Sequence, residues 1–208
     1  MEIRAVIFDY GCVISLSQVK QEIDAMLDLI GIKEDIFTTN YYKYRLEYDS
    51  GISGEEYWGK VLSACHVNYD REMIIKLIEH DAKSWIAINQ EVLDLAKDLK
   101  NHGYKLGIIS NMPMDILKYM KENFPWLKNN LFDTTVFSCD LKVCKPDLVI
   151  YTKCLERLHL RPAECLFIDD VEANIQAAQK LGLETFHYRN PEALEVLRRR
   201  LLKNKSTR

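Results

Sequence analysis

Four polar positions follow apolar, strand-like runs of this sequence, and their residue types are those of a reactive site. An acid ends the first run, a hydroxyl ends the second, a cation follows the third, and a pair of acids ends the fourth. The positions are Asp9 after "AVIF", Ser110–Asn111 after "KLGII", Lys145–Pro146 after "VFSCDLKVC" and Asp169–Asp170 after "CLFI". In open α/β sheets, ligands bind at the carboxyl ends of the strands, so we expect these residues to lie together.

This set of side chains contains the parts that a phosphoryl-transfer site needs. A carboxylate such as Asp9 can attack a phosphoryl group and form an aspartyl-phosphate, which divides one difficult step into two. Mg²⁺ is suited to one or two carboxylates completed by water, and it neutralises phosphate charge. A lysine and a hydroxyl beside the phosphate stabilise its oxygens as charge is redistributed. Without the metal and Lys145, Asp9 would face a phosphate dianion as a like charge.

Each position taken alone has a simpler structural interpretation. Asp9 can cap a helix, and "SN" before a proline can be a turn. "KP" can begin a helix with Pro146 as its first residue. Asp170 can cap the helix that follows through its side-chain oxygen. The presence of all four, in this order on successive strands, favours the reactive site.

The rest of the sequence predicts the elements that position these residues. "IRAVIF" is a short, β-branched apolar run, as expected for a strand buried on both faces. After Trp85, helices alternate with the strand-like runs "YKLGIIS", "DTTVFSC", "CLFIDD" and "LETFHY". This alternation predicts a parallel sheet covered on both faces by helices, among them one that opens at "KPDLVIYTKCLERL".

Residues 15–84 contain consecutive amphipathic helices and no convincing strand. One of these helices covers "YYKYRLEYDSG", and another is predicted to start at Ser53 as its cap, with Glu56 three positions on. Because this block follows only the first strand, we predict an α/β fold with an inserted helical cap. The Rossmann-like core would comprise residues 1–14 and 85–208, and the cap would comprise residues 15–84.

Composition and charge exclude several classes of protein. The 208 residues are 48% apolar and 28% charged, as in ordinary globular proteins, and the net charge of −3 gives no reason to expect a nucleic-acid partner. No stretch approaches the roughly 20 apolar residues of a membrane span, and "MEIRAVIFDY" lacks the apolar region of a signal peptide. The six cysteines have no metal-ligand spacing, so we expect reduced thiols and a cytoplasmic protein. The oligomeric state stays open.

Beyond these arguments, the sequence resembles a known family. "FDYGCVI", "IISNM", "CKPDLVIY" and "LFIDDVEANIQAAQKLG" are similar to the four signature motifs of the haloacid dehalogenase superfamily, in order and spacing. The resemblance covers essentially the whole chain. It is greatest for the branch that holds bacterial α-D-glucose-1-phosphate phosphatase and the phosphatase domain of soluble epoxide hydrolase, and "YDSGISGEEYW" in the cap is also typical of that branch.

The resemblance implies a role for each matching residue. Asp9 would be the nucleophile and a ligand of Mg²⁺, and the backbone carbonyl of Gly11 would be a second ligand. Asp170 would bind the metal directly, and Asp169 would hold a metal-bound water.

The same resemblance implies how the phosphate is bound. Ser110 and the region of Asn111 would bind the transferred phosphoryl group. Lys145 would neutralise charge between the nucleophile and the phosphate. The expected ligand is a small phosphorylated metabolite, such as a sugar phosphate.

Gly11 departs from the pattern of most phosphatases in the superfamily, which carry a second acid at this position. That acid protonates the leaving oxygen and later activates water, and such assistance is worth roughly 10²–10⁴-fold in rate. Three hypotheses therefore stay open. The first is a Mg²⁺-dependent phosphatase, and the second is a binding or regulatory protein that kept the phosphate pocket without efficient turnover. The third is a dehalogenase, which the acid pair at Asp169–Asp170 disfavours.

Candidates for contact with the rest of the substrate lie in the cap. Tyr41, Tyr44, Arg45 and Tyr48 share one face of a predicted helix, and Trp58 follows on the next. Aromatic residues at this spacing are also typical of a buried core. Arg45 is the exception, because an arginine on such a face can bind an anionic or sugar group.

Overall fold

A five-stranded parallel sheet forms the centre of the computed structural model, which describes residues 2–190 and 192–202. The strands are β1 (Ala5–Phe8), β2 (Lys105–Ser110), β3 (Thr134–Phe137), β4 (Cys165–Asp169) and β5 (Glu184–His187). They lie in the order β3-β2-β1-β4-β5, and every neighbouring pair is parallel. The predicted α/β fold is confirmed. Met1, Pro191 and residues 203–208 of the predicted core lie outside the described residues.

Strand β1 lies in the middle of the sheet because its side chains are apolar on both faces. Val6 and Phe8 pack into a hydrophobic cluster on one face, and Ala5 and Ile7 pack into a second cluster on the other. All four are buried. Such a strand requires a helical layer on each side.

The helices between Lys20 and Ser84 form the cap and have a hydrophobic core of their own, which includes Met26, Phe37, Leu62 and Leu77. Ser53 caps the fourth of these helices by accepting a hydrogen bond from the backbone N–H of Glu56 at 3.1 Å, as predicted. The cap helices are α1 (Lys20–Ile30), α2 (Glu34–Lys43), α3 (Arg45–Asp49), α4 (Gly54–Ala64) and α5 (Arg71–Ser84).

The single helix predicted over "YYKYRLEYDSG" is wrong, because the helix breaks at Tyr44. That residue ends α2 and precedes α3, with φ −107° and ψ 1°. Tyr44 is therefore not aligned with its predicted neighbours on a continuous helix face. Tyr41, Tyr48 and Trp58 are almost fully buried in the cap core, so their aromatic periodicity reflects packing.

The remaining helices cover the two faces of the sheet. Helices α6, α7 and α12 contribute to the cluster that contains Val6, and α10 and α11 contribute to the cluster that contains Ile7. The core helices are α6 (Gln90–Asn101), α7 (Met114–Asn123), α8 (Pro125–Lys128), α9 (Ser138–Leu141), α10 (Leu148–Leu158), α11 (Glu172–Lys180) and α12 (Ala193–Leu202). No helix among the described residues is long and apolar enough to cross a membrane.

Helix α10 begins later than the sequence predicts. Asp147 caps it by accepting a hydrogen bond from the backbone N–H of Val149 at 2.9 Å, and the helix starts at Leu148. The interpretation of Pro146 as the first helical residue is therefore wrong. Lys145 therefore lies in the loop between α9 and α10, and its bond to Pro146 is cis.

The cap and the core are joined by a few polar contacts and one close approach. Tyr48 in α3 donates a hydrogen bond to Asp115 in α7 at 2.8 Å, and the hydroxyl of Ser138 donates to the carbonyl of Asp49 at 2.5 Å. A Cβ atom at Gly54 would lie 2.7 Å from both Asp115 Oδ2 and Ile78 Cδ1. We keep residues 15–84 as the predicted bounds of the cap.

Gly54→Ala tests this close approach. We expect the added methyl group to lower the free energy of unfolding by about 1–3 kcal/mol, because the packed neighbours must move. Gly59→Ala in the same helix is the control, since its Cβ would meet only the Tyr69 hydroxyl at 3.3 Å, and alanine favours the helix. Urea denaturation of both variants measures the difference, and equal stability of the two would contradict the expected clash.

Candidate active site

Four of the predicted residues lie together at the carboxyl edge of the sheet. Asp9 follows β1, Ser110 is the last residue of β2, and Asp169 is the last residue of β4. The ammonium of Lys145 lies 2.8 Å from Asp9 Oδ1 and 2.7 Å from Asp169 Oδ2. It also donates a hydrogen bond to the carbonyl of Ile109 at 3.2 Å. Lys145 therefore bridges the residues that follow two neighbouring strands.

Asn111 holds the backbone of Lys145 in place. Its side-chain Oδ1 accepts a hydrogen bond from the N–H of Lys145 at 2.7 Å, and its Nδ2 donates to the carbonyl of Lys145 at 3.0 Å. The side chain of Asn111 is thus committed to the loop. A contact from this residue to a phosphate would come from its backbone.

Three carboxylates converge beside the lysine. Asp9, Asp169 and Asp170 each offer one oxygen, and these oxygens lie within 4.8 Å of one another. One lysine balances one of the three negative charges, so the cluster has an excess of two. Oxygen ligands and an excess of two charges fit a hard divalent cation such as Mg²⁺.

The carboxylate of Asp169 has several partners within the protein, whereas Asp170 is more exposed. Asp169 accepts hydrogen bonds from Asn174 Nδ2 at 3.1 Å to each oxygen, and from the backbone N–H of Val171 at 2.8 Å, in addition to Lys145. The alternative that Asp170 caps α11 is wrong, because α11 has no side-chain cap and the N–H of Val171 binds Asp169. Asp170 is the half-buried member of the three.

Two supporting residues escape the sequence analysis. Asn174, in the first turn of α11, is buried and holds Asp169 as described. His187 ends β5, where its Nε2 lies 2.8 Å from the carbonyl oxygen of Asp170 and its Nδ1 lies 2.8 Å from Glu172 Oε2. The only signal for Asn174 in the sequence is a polar residue in the first turn after the acid pair. His187 becomes recognisable only through the pairing of β5 with β4.

Burial controls the electrostatics of Asp9. It raises the pKa of this carboxyl from 3.8 to about 7; Lys145 opposes the shift, and Asp169 and Asp170 add to it. Burial alone would lower the pKa of Lys145, but the carboxylates of Asp9 and Asp169 outweigh it, and the pKa is raised. The lysine is therefore held as a cation.

A small cleft of about 50 Å³ lies next to these residues. Its wall combines residues that follow β1 and β2 with two residues from the cap side. The lining residues are Tyr10, Gly11, Arg45, Trp85, Ser110, Asn111, Met112 and Ile116. At Gly11, an added Cβ would lie 3.7 Å from Cζ3 of Trp85, so the missing side chain leaves space that faces this ring.

Arg45 is the only one of the five predicted cap candidates that lines the cleft. Its Nε donates a hydrogen bond to Asp49 Oδ1 at 2.9 Å, and its Nη1 lies 3.4 Å from Asp81 Oδ1 and also bonds the hydroxyl of Tyr41. The guanidinium lies 5.7 Å from the centre of the Trp85 ring. Two buried carboxylates therefore offset the charge of Arg45.

Comparison with known proteins gives matches along most of the chain. Residues 23–187 match the family of haloacid dehalogenase-like hydrolases. Asp9 and Gly11 precede the matched segment.

Two curated relatives and a solved structure illustrate the similarity. The chain is 25% identical to D-ribitol-5-phosphate phosphatase of Bacteroides thetaiotaomicron over 90% of this chain and 93% of that protein. It is 28% identical to mouse bifunctional epoxide hydrolase 2 over 65% of this chain and 25% of that protein. A haloacid dehalogenase family enzyme from B. thetaiotaomicron, in complex with magnesium and inorganic phosphate, is 22% identical with a TM-score of 0.72, covering 91% of this chain and 96% of that chain. The chain spans a quarter or less of the length of the first curated relatives that it matches.

The raised pKa of Asp9 predicts how stability depends on pH in the presence of a chelator. Between its ordinary value of 3.8 and about 7, the folded chain holds the proton that the unfolded chain has lost. The free energy of unfolding should therefore fall as pH rises through this window. Asp9→Asn should show a weaker fall, which urea denaturation at several pH values measures.

Asp28→Asn is the control for this experiment, because Asp28 is an exposed acid of α1. It should keep the pH dependence of the wild type. A fall of equal size in Asp9→Asn and the wild type would contradict the raised pKa.

Proposed function

Because the chain belongs to the haloacid dehalogenase-like hydrolases, we propose that it is a Mg²⁺-dependent phosphatase that hydrolyses a small phosphorylated metabolite through an aspartyl-phosphate on Asp9. The observation that carries the proposal is the buried Lys145 between Asp9 and Asp169, with Asp170 as a third carboxylate. The excess negative charge of this cluster matches a divalent cation, and the cation and lysine together match a phosphate.

The metal would be held by the carboxylates of Asp9 and Asp170 and the backbone carbonyl of Gly11, with Asp169 holding a bound water. When bound, Mg²⁺ supplies charge neutralisation to the phosphate oxygens. The Bacteroides enzyme of similar fold, in complex with magnesium and inorganic phosphate, supports a site that takes both. The phosphatase activity named for the ribitol-5-phosphate relative supports hydrolysis of a phosphorylated small molecule.

Asp9 has one fixed orientation for its role as nucleophile. Its Oδ1 accepts hydrogen bonds from the backbone N–H of Tyr10 at 2.6 Å and from Lys145. Lys145 opposes the rise in the pKa of Asp9 and would offset the repulsion between its carboxylate and the phosphate. Ser110 and the backbone of Asn111 would bind the transferred phosphoryl group from the end of β2.

Arg45 would contact the rest of the substrate. Because Asp49 and Asp81 offset its charge, we propose that it binds a polar, uncharged part of the substrate through hydrogen bonds. Arg45→Lys keeps the charge for the two carboxylates but loses the planar guanidinium. It should raise KM more than it lowers kcat, and an unchanged KM would contradict the contact.

A second candidate function rests on Gly11. Because Gly11 supplies no acid, the cleft is also compatible with a phosphate-binding or regulatory protein that does not turn over its ligand. A dehalogenase fits less well, because attack of Asp9 on carbon gives Asp169 and Asp170 no metal to bind.

Phosphate release from a panel of phosphorylated sugars and other metabolites tests the proposed function. We expect turnover by the wild type with Mg²⁺, and release at background level with chelator or in Asp9→Asn. Release that persists in Asp9→Asn would contradict the aspartyl-phosphate. Absence of release from every compound, in folded protein with Mg²⁺ bound, would favour the binding protein.

His187 gives a second test, because it supports the backbone of Asp170 from behind. We expect His187→Ala to weaken Mg²⁺ binding about 10–100-fold, the usual effect of losing a group that orients a metal ligand. Calorimetric titration with Mg²⁺ measures it without turnover. Glu172→Gln leaves the contact between His187 and the carbonyl of Asp170 in place and removes the charge of the carboxylate beside Nδ1. It should have a smaller effect, and unchanged affinity in His187→Ala would contradict the supporting role.

A further inference from the structure

The cleft beside Asp9 offers no obvious proton donor to a leaving group. Among its eight lining residues, none carries a carboxyl or imidazole group, and the ionisable ones are Tyr10 and Arg45. The hydroxyl of Tyr10 donates its hydrogen bond to the carbonyl of Trp85 at 2.6 Å, and burial raises the pKa of this phenol above its usual range. Arginine stays protonated in proteins.

The nearest cap carboxylates are committed elsewhere. Asp49 binds Arg45 Nε, and Asp81 accepts a hydrogen bond from the hydroxyl of Tyr41 at 2.6 Å and is fully buried. Neither lines the cleft. Their charges also offset Arg45, so this wall presents little net positive charge to a departing anion.

We propose that this site selects phosphate compounds whose leaving group departs as a stable anion, namely phenol, enol and carboxylate leaving groups, over phosphate esters of ordinary alcohols. The inference rests on the proposed phosphatase function and narrows its substrate class.

The reaction balances without a proton donor in the first step. An oxygen of Asp9 forms a bond to phosphorus, the bond from phosphorus to the leaving oxygen breaks, and its electron pair stays on that oxygen, which leaves as an anion. Water then bonds to phosphorus, the bond to Asp9 breaks, and its electron pair returns to the carboxylate. One proton of that water passes to solvent and the other stays on the phosphate, so the products are inorganic phosphate and the free carboxylate of Asp9.

Gly11 allows a direct test, because its backbone accepts other residues. Its φ of −62° and ψ of 129° are open to any L-residue, and its Cβ would make an ordinary contact with Trp85. Gly11→Asp adds a carboxyl group beside the cleft. Gly11→Asn adds the same volume without an ionisable proton and is the matched control.

The experiment compares kcat/KM for nitrophenyl, chlorophenyl and phenyl phosphates and for glycerol phosphate, with Mg²⁺. For the wild type and Gly11→Asn we expect kcat/KM to fall steeply as the leaving group becomes less acidic, as steeply as the rate of uncatalysed hydrolysis does. For Gly11→Asp we expect kcat/KM to fall less steeply, and for glycerol phosphate it should exceed that of Gly11→Asn by about 10²–10⁴-fold.

The inference would be overturned if kcat/KM of the wild type depended much less on the acidity of the leaving group than uncatalysed hydrolysis does. Some group of the protein would then be protonating the leaving oxygen. Asp49→Asn identifies that group if it restores the steep dependence, since Asp49 is the cap carboxyl that binds Nε of the lining residue Arg45, and burial raises its pKa. If Gly11→Asp fails to fold, the wild type and Gly11→Asn still decide between the outcomes. Failure of the phosphatase proposal looks different, since Asp9→Asn would then match the wild type on every ester.

Discussion

The buried ammonium of Lys145 is the group on which the arrangement of this site depends. Removing an ammonium from water costs several kcal/mol, and the expense is offset only when close partners of opposite charge are present. Here Asp9 and Asp169 supply them, and the carbonyl of Ile109 accepts a further hydrogen bond. Two hydrogen bonds from the side chain of Asn111 to the backbone of Lys145 fix the loop that carries the lysine. Losing any one of these contacts would leave a buried charge with poorer compensation.

The sheet order makes this compensation possible. Strand β1 pairs with β2 on one side and β4 on the other, and Phe8 at the end of β1 is aligned with Ile168 in β4. The residue that follows each of these two is an acid, Asp9 or Asp169, so two carboxylates are forced close together. Their repulsion, together with that of Asp170, is the physical reason that the site matches both a lysine and a divalent cation.

Sequence alone predicts the part of this site that depends on local pattern. A polar residue that interrupts an apolar run marks a strand end, which is why Asp9, Ser110 and Asp169 were recognisable. It does not predict the break at Tyr44, because aromatic and charged residues continue the helical periodicity through it. Nor does it identify His187, whose neighbours are set by strand pairing and not by nearby residues in the chain.

The aromatic residues of the cap show where sequence spacing misleads. Tyr41 and Trp58 have the spacing of a ligand-binding stripe, but their rings pack against each other at 6.0 Å inside the cap. Arg45 interrupts the aromatic pattern, and it is the residue that reaches the cleft. A charged residue within a periodic apolar face was therefore a better guide to the cleft than the aromatic residues around it.

The position of Arg45 on α3 has a consequence for how the cleft selects by size. The same short helix region carries Tyr48, which binds Asp115, and Asp49, whose carbonyl accepts from Ser138. In the proposed phosphatase, moving this helix to admit a larger leaving group would break both hydrogen bonds, at about 1 kcal/mol each. Selection by size would then be a graded energetic penalty on larger substrates, and the same movement would carry Arg45 away from them.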